Sequence, residues 1–371
     1  MITIGIDGNE ANVEKKVGIG EFAYQLIFEF SKLSLRNKNL KFVVYLKNKP
    51  LPDMPSQTAS WKYKIIGPKP LWTQIGLPLR LLIEREKPNV FFTPTHYAPR
   101  FSFIPQIISI MDLSYIFFPE TFKKRDLAQL KNWTNYSVKR SKRIFTISKS
   151  SKNDILKEYK IDDSRVKVIY PGIKQDVLDV NLFSMDKLSD KYNINSDFVL
   201  FVGTLQPRKN IVRLIQAFKK LNKPSLKLVI VGKKGWLYDD ILNAPLDLGI
   251  EDKVIFLDYV KDRDLPALYK NAKCFVLPSL YEGFGLPVLE AMKHGCPVVV
   301  SDISSLPEAG GDAALYFDPK DISDIAQKID KVLTDKEKRS DMIKKGYAQV
   351  KKFSWEKTAR EALKYIEEEA E

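Results

Sequence analysis

Cysteine and histidine are both scarce in this 371-residue chain, at two apiece. Cys274 sits inside the apolar run Cys274-Phe-Val-Leu and Cys296 stands before Pro297, so no disulfide framework can be read and a reducing compartment is expected. With His96 and His294 as the only imidazoles, and no metal-binding Asp-x-Asp pair read from the sequence, neither a resident metal nor any other cofactor is expected. Long apolar runs are missing too, none approaching the roughly 20 residues that span a bilayer. The opening Met1-Ile-Thr-Ile-Gly lacks the basic-then-apolar layout of a secretory signal. These absences point to a cytoplasmic protein, at most peripheral on the inner face of a membrane.

Negative charge is short in one half only. Residues 1–172 hold 29 Lys and Arg against 15 Asp and Glu, which accounts for the whole net charge of +14, whereas residues 173–371 hold 31 of each sign. The excess is densest from Lys123 to Arg143, where eight cations alternate with Leu127, Leu130, Trp133, Tyr136 and Val138. That pattern predicts a basic amphipathic helix suited to an anionic membrane surface, and it reads equally well as a solvated, lysine-rich helix face. No recognised nucleic-acid module accompanies the charge, so no nucleic-acid partner is expected.

What is present is an ordinary globular composition, 44% hydrophobic and 29% charged, over a length that suits two domains. Short apolar runs alternate with helical stretches throughout. In the first half, strands are expected at residues 2–6, 40–46, 90–93, 106–110 and 143–147. In the second they are expected at 198–202, 226–231, 254–257, 274–277 and 297–300. Helices are expected between them, for example over 20–35, 152–159, 211–221 and 286–293. The alternation predicts an α/β protein of two doubly wound, Rossmann-like domains. Pro171 and Gly172 break regular structure, which places a first domain at 1–172, a hinge near Pro171–Asp197, and a second domain at 173–352.

Three loops at strand ends carry candidate chemistry. The stretch Pro278-Ser-Leu-Tyr-Glu-Gly-Phe-Gly-Leu-Pro follows a buried strand and opens a helix, whose free backbone N–H groups suit an anion. Glu282 precedes that helix and Glu290 is expected in its first turn, where a carboxylate could take a pair of vicinal hydroxyls. Service to the helix dipole or as capping partners is the less favoured reading of both. Gly203-Thr-Leu-Gln-Pro-Arg-Lys-Asn puts Arg208 and Lys209 beside another helix start, a place for a diphosphate. Val231-Gly232-Lys-Lys-Gly-Trp is the third loop of this kind.

Residues 198–310 also resemble a known family. Glu282-Gly-Phe-Gly-Leu-Pro-Val-Leu-Glu290 is similar to the Glu-x7-Glu motif of the retaining GT-B glycosyltransferases of family 4, and most like that of their mannosyltransferase-type members. Gly232-Lys-Lys-Gly-Trp, Asp264-Leu-Pro-Ala-Leu-Tyr, Leu306-Pro-Glu-Ala-Gly-Gly-Asp and Phe353-Ser-Trp fit in the same order, and Gly18-Ile-Gly-Glu-Phe, Asp112-Leu-Ser and Ile147-Ser-Lys-Ser extend the likeness to the first half.

The resemblance implies a GT-B fold, with two domains facing across a cleft and the C-terminal helix 353–371 crossing back to the first. It implies a retaining, metal-independent transfer of a hexose from a nucleotide-sugar donor to a glycan or lipid-linked acceptor. GDP-mannose is the favoured donor, with a UDP-hexose as the alternative. Glu290 would hold the ribose, Arg208 and Lys209 the diphosphate, and Glu282 with the backbone of Phe284, Gly285 and Leu286 the sugar. Gly203 and Gly232 would line the donor site, and Gly18 and Gly20 would approach the diphosphate. The chain departs from the family at Met111, which precedes Asp112 where a histidine is common; His96 could fill that role. The departure keeps open one rival, a catalytically weak or inactive nucleotide-sugar-binding protein; a second rival, a GT-B epimerase, would need a general base, against which the scarcity of histidine argues.

Overall fold

The computed structural model describes residues 1–174, 185–261 and 263–371. Runs such as Phe-Val-Leu-Phe-Val at 198–202, apolar at every position, form strands covered by helices on both faces, which favours parallel pairing. The first sheet contains β1 (Ile2–Asp7), β2 (Leu40–Leu46), β3 (Trp61–Ile65), β4 (Val90–Thr93), β5 (Gln106–Ser109), β6 (Arg143–Thr146) and β7 (Val166–Val168). Their order is β3-β2-β1-β4-β5-β6-β7, parallel throughout. The second contains β8 (Phe198–Val202), β9 (Lys227–Val231), β10 (Val254–Leu257), β11 (Cys274–Leu277), β12 (Val298–Ser301) and β13 (Ala314–Phe317). Its order is β10-β9-β8-β11-β12-β13, also parallel. In each sheet the winding reverses once, between β1 and β4 and between β8 and β11, and loops at such a reversal diverge to leave a crevice at the carboxyl ends of the strands.

Three strands escape the sequence reading: β3, β7 and β13. Each is a sheet edge. An edge strand is half-solvated, so Trp-Lys-Tyr-Lys-Ile in β3 alternates rather than forming an apolar run.

The chain divides into two units, one of residues 1–117, 123–172 and 353–371 and the other of 118–122 and 173–352. The hinge expected near Pro171–Asp197 falls partly outside the described residues; within it Met185–Tyr192 is helical. The last helix, Trp355–Glu368, starts at Ser354, whose Oγ accepts from the Lys357 N–H at 3.2 Å. It buries Trp355, Ala359, Ala362, Leu363 and Ile366 in the first unit's core, where the Trp355 ring stands 5.8 Å from Phe22. Each large side chain so buried contributes about 1.5–3 kcal/mol. Gly172 permits the approach, because a Cβ there would lie 2.1 Å from the Trp355 nitrogen.

The basic helix is shorter than the expected Lys123–Arg143. It spans Lys124–Arg140 and ends where Ser141 turns extended and its Oγ donates back to the Ser137 carbonyl at 2.7 Å. Arg143 instead opens β6, half-buried, 2.9 Å from Glu368 and 2.5 Å from Glu369. The apolar residues of this helix turn inward: Val138 is fully buried, and Trp133 meets Tyr97 edge-on at 5.2 Å.

Candidate functional site

The loops after β8 and β11 meet at the second sheet's reversal. After β8 a single turn, Pro207–Lys209, leads to Asn210, which takes a left-handed conformation (φ 59°) before the helix Ile211–Leu221. Asparagine tolerates that conformation better than most residues. Its Nδ2 donates to the carbonyls of Pro278 at 3.0 Å and Pro319 at 2.7 Å, and Leu280 N–H donates to the Arg208 carbonyl at 2.8 Å. The two loops are therefore stapled together, with Arg208 and Lys209 aimed at the β11 loop.

Glu282 receives them. Its Oε1 lies 2.5 Å from Lys209 Nζ and accepts from Ser279 Oγ at 2.6 Å, while Oε2 lies 3.3 Å from Arg208 Nη1. Arg208 also donates to the Tyr281 carbonyl. The backbone of Glu282 is held just as firmly, its carbonyl accepting from Ser304 Oγ at 2.5 Å and Ser305 Oγ at 2.8 Å. Burial alone would raise the carboxyl's pKa, but Lys209, Arg208 and the Ser279 hydroxyl outweigh it and hold it at about 2. At neutral pH Glu282 is thus a fixed anion, unsuited to trading protons. One carboxylate against two cations leaves an excess of positive charge.

The glycines shape the surroundings. A Cβ on Gly232 would stand 1.9 Å from the Gly203 carbonyl oxygen, so the backbones after β8 and β9 touch and only glycine fits. Gly285, at φ 100°, caps the helix Leu286–Lys293 behind the buried Phe284. Leu286 is the first residue of that helix. Glu290 lies beyond its first turn, contrary to expectation, because the helix begins at Leu286, four residues before it. Its Oε2 accepts from Tyr269 Oη at 3.0 Å. Burial and the Glu290 charge push the Tyr269 phenol well above its usual pKa, so it remains a donor.

The other candidates belong to the first unit. Gly18 (φ 53°) precedes the helix Ile19–Arg36, and a Cβ on Gly20 would lie 3.0 Å from the Glu10 carbonyl oxygen. His96 follows β4, half-buried; burial lowers its pKa, Asp112 opposes this, and Nδ1 has no hydrogen-bond partner among the described residues. Asp112 Oδ1 accepts from Ser114 N–H at 2.8 Å. Met111 packs half-buried against the first unit's core. Within the second unit, then, Arg208, Lys209 and Glu282 form one cluster. Within the first, His96 and Asp112 are neighbours.

Sequence reasoning missed Ser279, Ser304, Ser305, Asn210, Tyr269 and Asp7. Asp7 ends β1 at the first sheet's reversal, where burial raises its carboxyl to about 6 against two hydrogen bonds from Asn9. Its position at a switch point was the available signal. The sequence does hold one Asp-x-Asp spacing, Asp262-Arg-Asp264, contrary to the reading above. Asp264 is bonded by Lys191 and by Tyr192 at 2.9 Å, and Asp262 lies outside the described residues. Among the described residues no three His, Cys, Asp or Glu side chains gather as metal ligands.

Residues 184–349 match the model of glycosyl transferases group 1, and residues 42–177 that of glycosyltransferase family 4. O-antigen chain mannosyltransferase B of Escherichia coli is 34% identical over 75% of this chain and 74% of its own length. The chain belongs to the family 4 glycosyltransferases. A second relative, serotype-specific mannosyltransferase WbdA of Escherichia coli, is 36% identical over 60% of this chain, a stretch spanning only 28% of that longer protein. Among solved structures, sucrose-phosphate synthase from Thermosynechococcus elongatus superposes with a TM-score of 0.74 over 99% of both chains at 17% identity. The Anabaena protein HepE in complex with UDP-glucose gives 0.70 over 99% of this chain and 100% of its own, at 19% identity. The fold is that of the GT-B glycosyltransferases. No helix among the described residues of this glycosyltransferase is long and apolar enough to cross a membrane.

Proposed function

We propose that the protein is a retaining, metal-independent mannosyltransferase that takes mannose from GDP-mannose and passes it to a glycan or lipid-linked acceptor of polysaccharide assembly. The observation that carries this reading is the Arg208–Lys209–Glu282 cluster between the carboxyl ends of β8 and β11, whose surplus positive charge suits a diphosphate. The mannosyltransferase names of the relatives support the sugar, while the UDP-glucose bound by HepE keeps a UDP-hexose as the alternative donor. In the proposed step the bond from sugar C1 to the diphosphate oxygen breaks and the acceptor oxygen bonds C1 on the same face. The acceptor's proton passes to the departing diphosphate. Arg208 and Lys209 offset the charge that gathers there. Glu282, already ionised, orients both cations and accepts from sugar hydroxyls, and Glu290 takes the ribose hydroxyls.

A panel of nucleotides and nucleotide sugars in a thermal-shift assay tests the donor. Ligand at a hundred times its dissociation constant adds ~2.7 kcal/mol, a shift of several degrees for domains of this size. GDP-mannose is expected to lead; a response to uridine nucleotides alone would replace the donor, and none to any nucleotide would overturn the reading. NMR of the product's anomeric configuration tests retention. The packing of Met111 into the core favours one second reading, a catalytically weak nucleotide-sugar-binding protein that shifts without turning over.

A further inference from the structure

The helix Leu286–Lys293, which carries Glu290, is held by its opposite face. Val288 and Met292 stand one turn apart on that face, and both are buried. Met292 packs on the helix Lys336–Val350 at Gly346, where a Cβ would come within 3.2 Å of Met292 Cγ. The backbone under Glu290 is therefore fixed. What freedom remains to this half-buried carboxylate lies in its own side-chain torsions.

Tyr269 takes up that freedom. Its hydroxyl donates to Glu290 Oε2 at 3.0 Å, while its ring stacks on His294, four residues further along the same helix, at 6.0 Å and 8°. The ring also meets Phe275 of β11 edge-on at 5.7 Å, and only 1% of the residue is exposed. Tyr269 itself belongs to the helix Leu265–Asn271, whose start is anchored through Asp264. That carboxylate pairs with Lys191 and accepts from Tyr192 Oη at 2.9 Å. The phenol is thus a rigid donor, packed on the sheet and laid along the helix that bears Glu290. A carboxylate has about four acceptor sites, so one bond from Tyr269 orients Glu290 without exhausting it.

We infer that Tyr269 is the positioning residue for the nucleotide's ribose, its hydroxyl holding Glu290 in the rotamer that receives a pair of vicinal hydroxyls. The inference rests on the ribose role proposed for Glu290 and goes beyond it, because it makes the choice of a ribonucleotide the work of two residues. A long carboxylate side chain left free would have to be ordered when the nucleotide binds, and ordering it beforehand removes that cost from binding. A tie between helices with no part in recognition would support every nucleotide equally. A preset carboxylate favours the pentose that carries both hydroxyls.

The test is calorimetry of the full chain with GDP, UDP and their 2′,3′-dideoxy counterparts. Wild type, Tyr269→Phe, Glu290→Ala and the double variant are compared. Phenylalanine keeps the ring against Phe275 and His294, and a thermal melt checks that the variant is folded. Tyr269→Phe should weaken the tighter of GDP and UDP about threefold to tenfold, the worth of one hydrogen bond, and leave its dideoxy counterpart unchanged. Adding Tyr269→Phe to Glu290→Ala should cost nothing more, since the two residues act as one unit. An equal loss for both nucleotides, no loss for either, or full additivity in the double variant would overturn the inference; a ribose-selective loss in Glu290→Ala would still leave that residue its role. If Glu290→Ala itself spares the ribose nucleotide, or the wild type binds neither GDP nor UDP, the underlying reading falls and the inference falls with it.

Discussion

Glu282→Gln removes one charge from the cation cluster while keeping the side chain's shape. In the folded protein the carboxyl's pKa is held at about 2, below its ordinary 4.5. A group whose pKa is depressed on folding stabilises the native state above its unfolded value, and that stability is lost as pH falls through the folded value. The full difference is about 3 kcal/mol at neutral pH, and by linkage about 2 kcal/mol of it is gone by pH 3. Urea unfolding of both proteins from pH 6 to pH 3, a denaturant that leaves ion pairs unscreened, should show the wild type's advantage over Glu282→Gln shrinking by that amount. A constant gap across the range would mean that Lys209 and Arg208 do not hold Glu282 ionised, and the electrostatic argument for a diphosphate site would fall with it.

Glu290→Ala should weaken nucleotide-sugar binding by about 1.5–3 kcal/mol, read by calorimetry, with nucleotides lacking the ribose hydroxyls unaffected. Replacing Arg208 and Lys209 together by Gln should lower kcat about 10²–10³-fold while nucleoside binding stays intact; equal losses in both would remove their role in the leaving group. A chelator should leave turnover unchanged, and restoration of lost activity by magnesium or manganese would contradict the metal-free step. Gly232→Ala should destabilise the second unit, since its Cβ would strike the Gly203 carbonyl at 1.9 Å; an unchanged thermal melt would mean the loops part freely.

Central strands were legible because burial on both faces demands apolar residues throughout, as in β8 and β11, whereas β3, β7 and β13 lie at edges where that demand lapses. Glu282, Arg208 and Lys209 were legible as charges at strand ends. What fixes them was not, because it depends on contacts between distant segments. Asn210 reaches Pro319 across 109 positions, and Ser305 reaches Glu282 across 23. A serine or asparagine in a loop has no local signature of such a partner. The limit of the basic helix was hidden for the same reason: Arg143 continues the charge pattern, but Glu368 and Glu369, from the far end of the chain, claim it for β6.

The two sheets repeat one winding plan with opposite electrostatics at the reversal. Between β8 and β11 stand two cations around a single, fully ionised carboxylate, an environment that favours a multiply charged anion. At the ends of β1, β4 and β5 stand Asp7, raised to about 6, the half-buried His96, whose charged form burial disfavours, and Asp112. Carboxyl groups and an imidazole accept and donate hydrogen bonds without a net positive charge, which suits hydroxyls better than phosphates. Shared topology therefore supplies two crevices, and the residues at the strand ends divide them. The cationic set is the one proposed above for a donor's diphosphate, and the set around Asp7, His96 and Asp112 has the acceptors and donors that would suit hydroxyls.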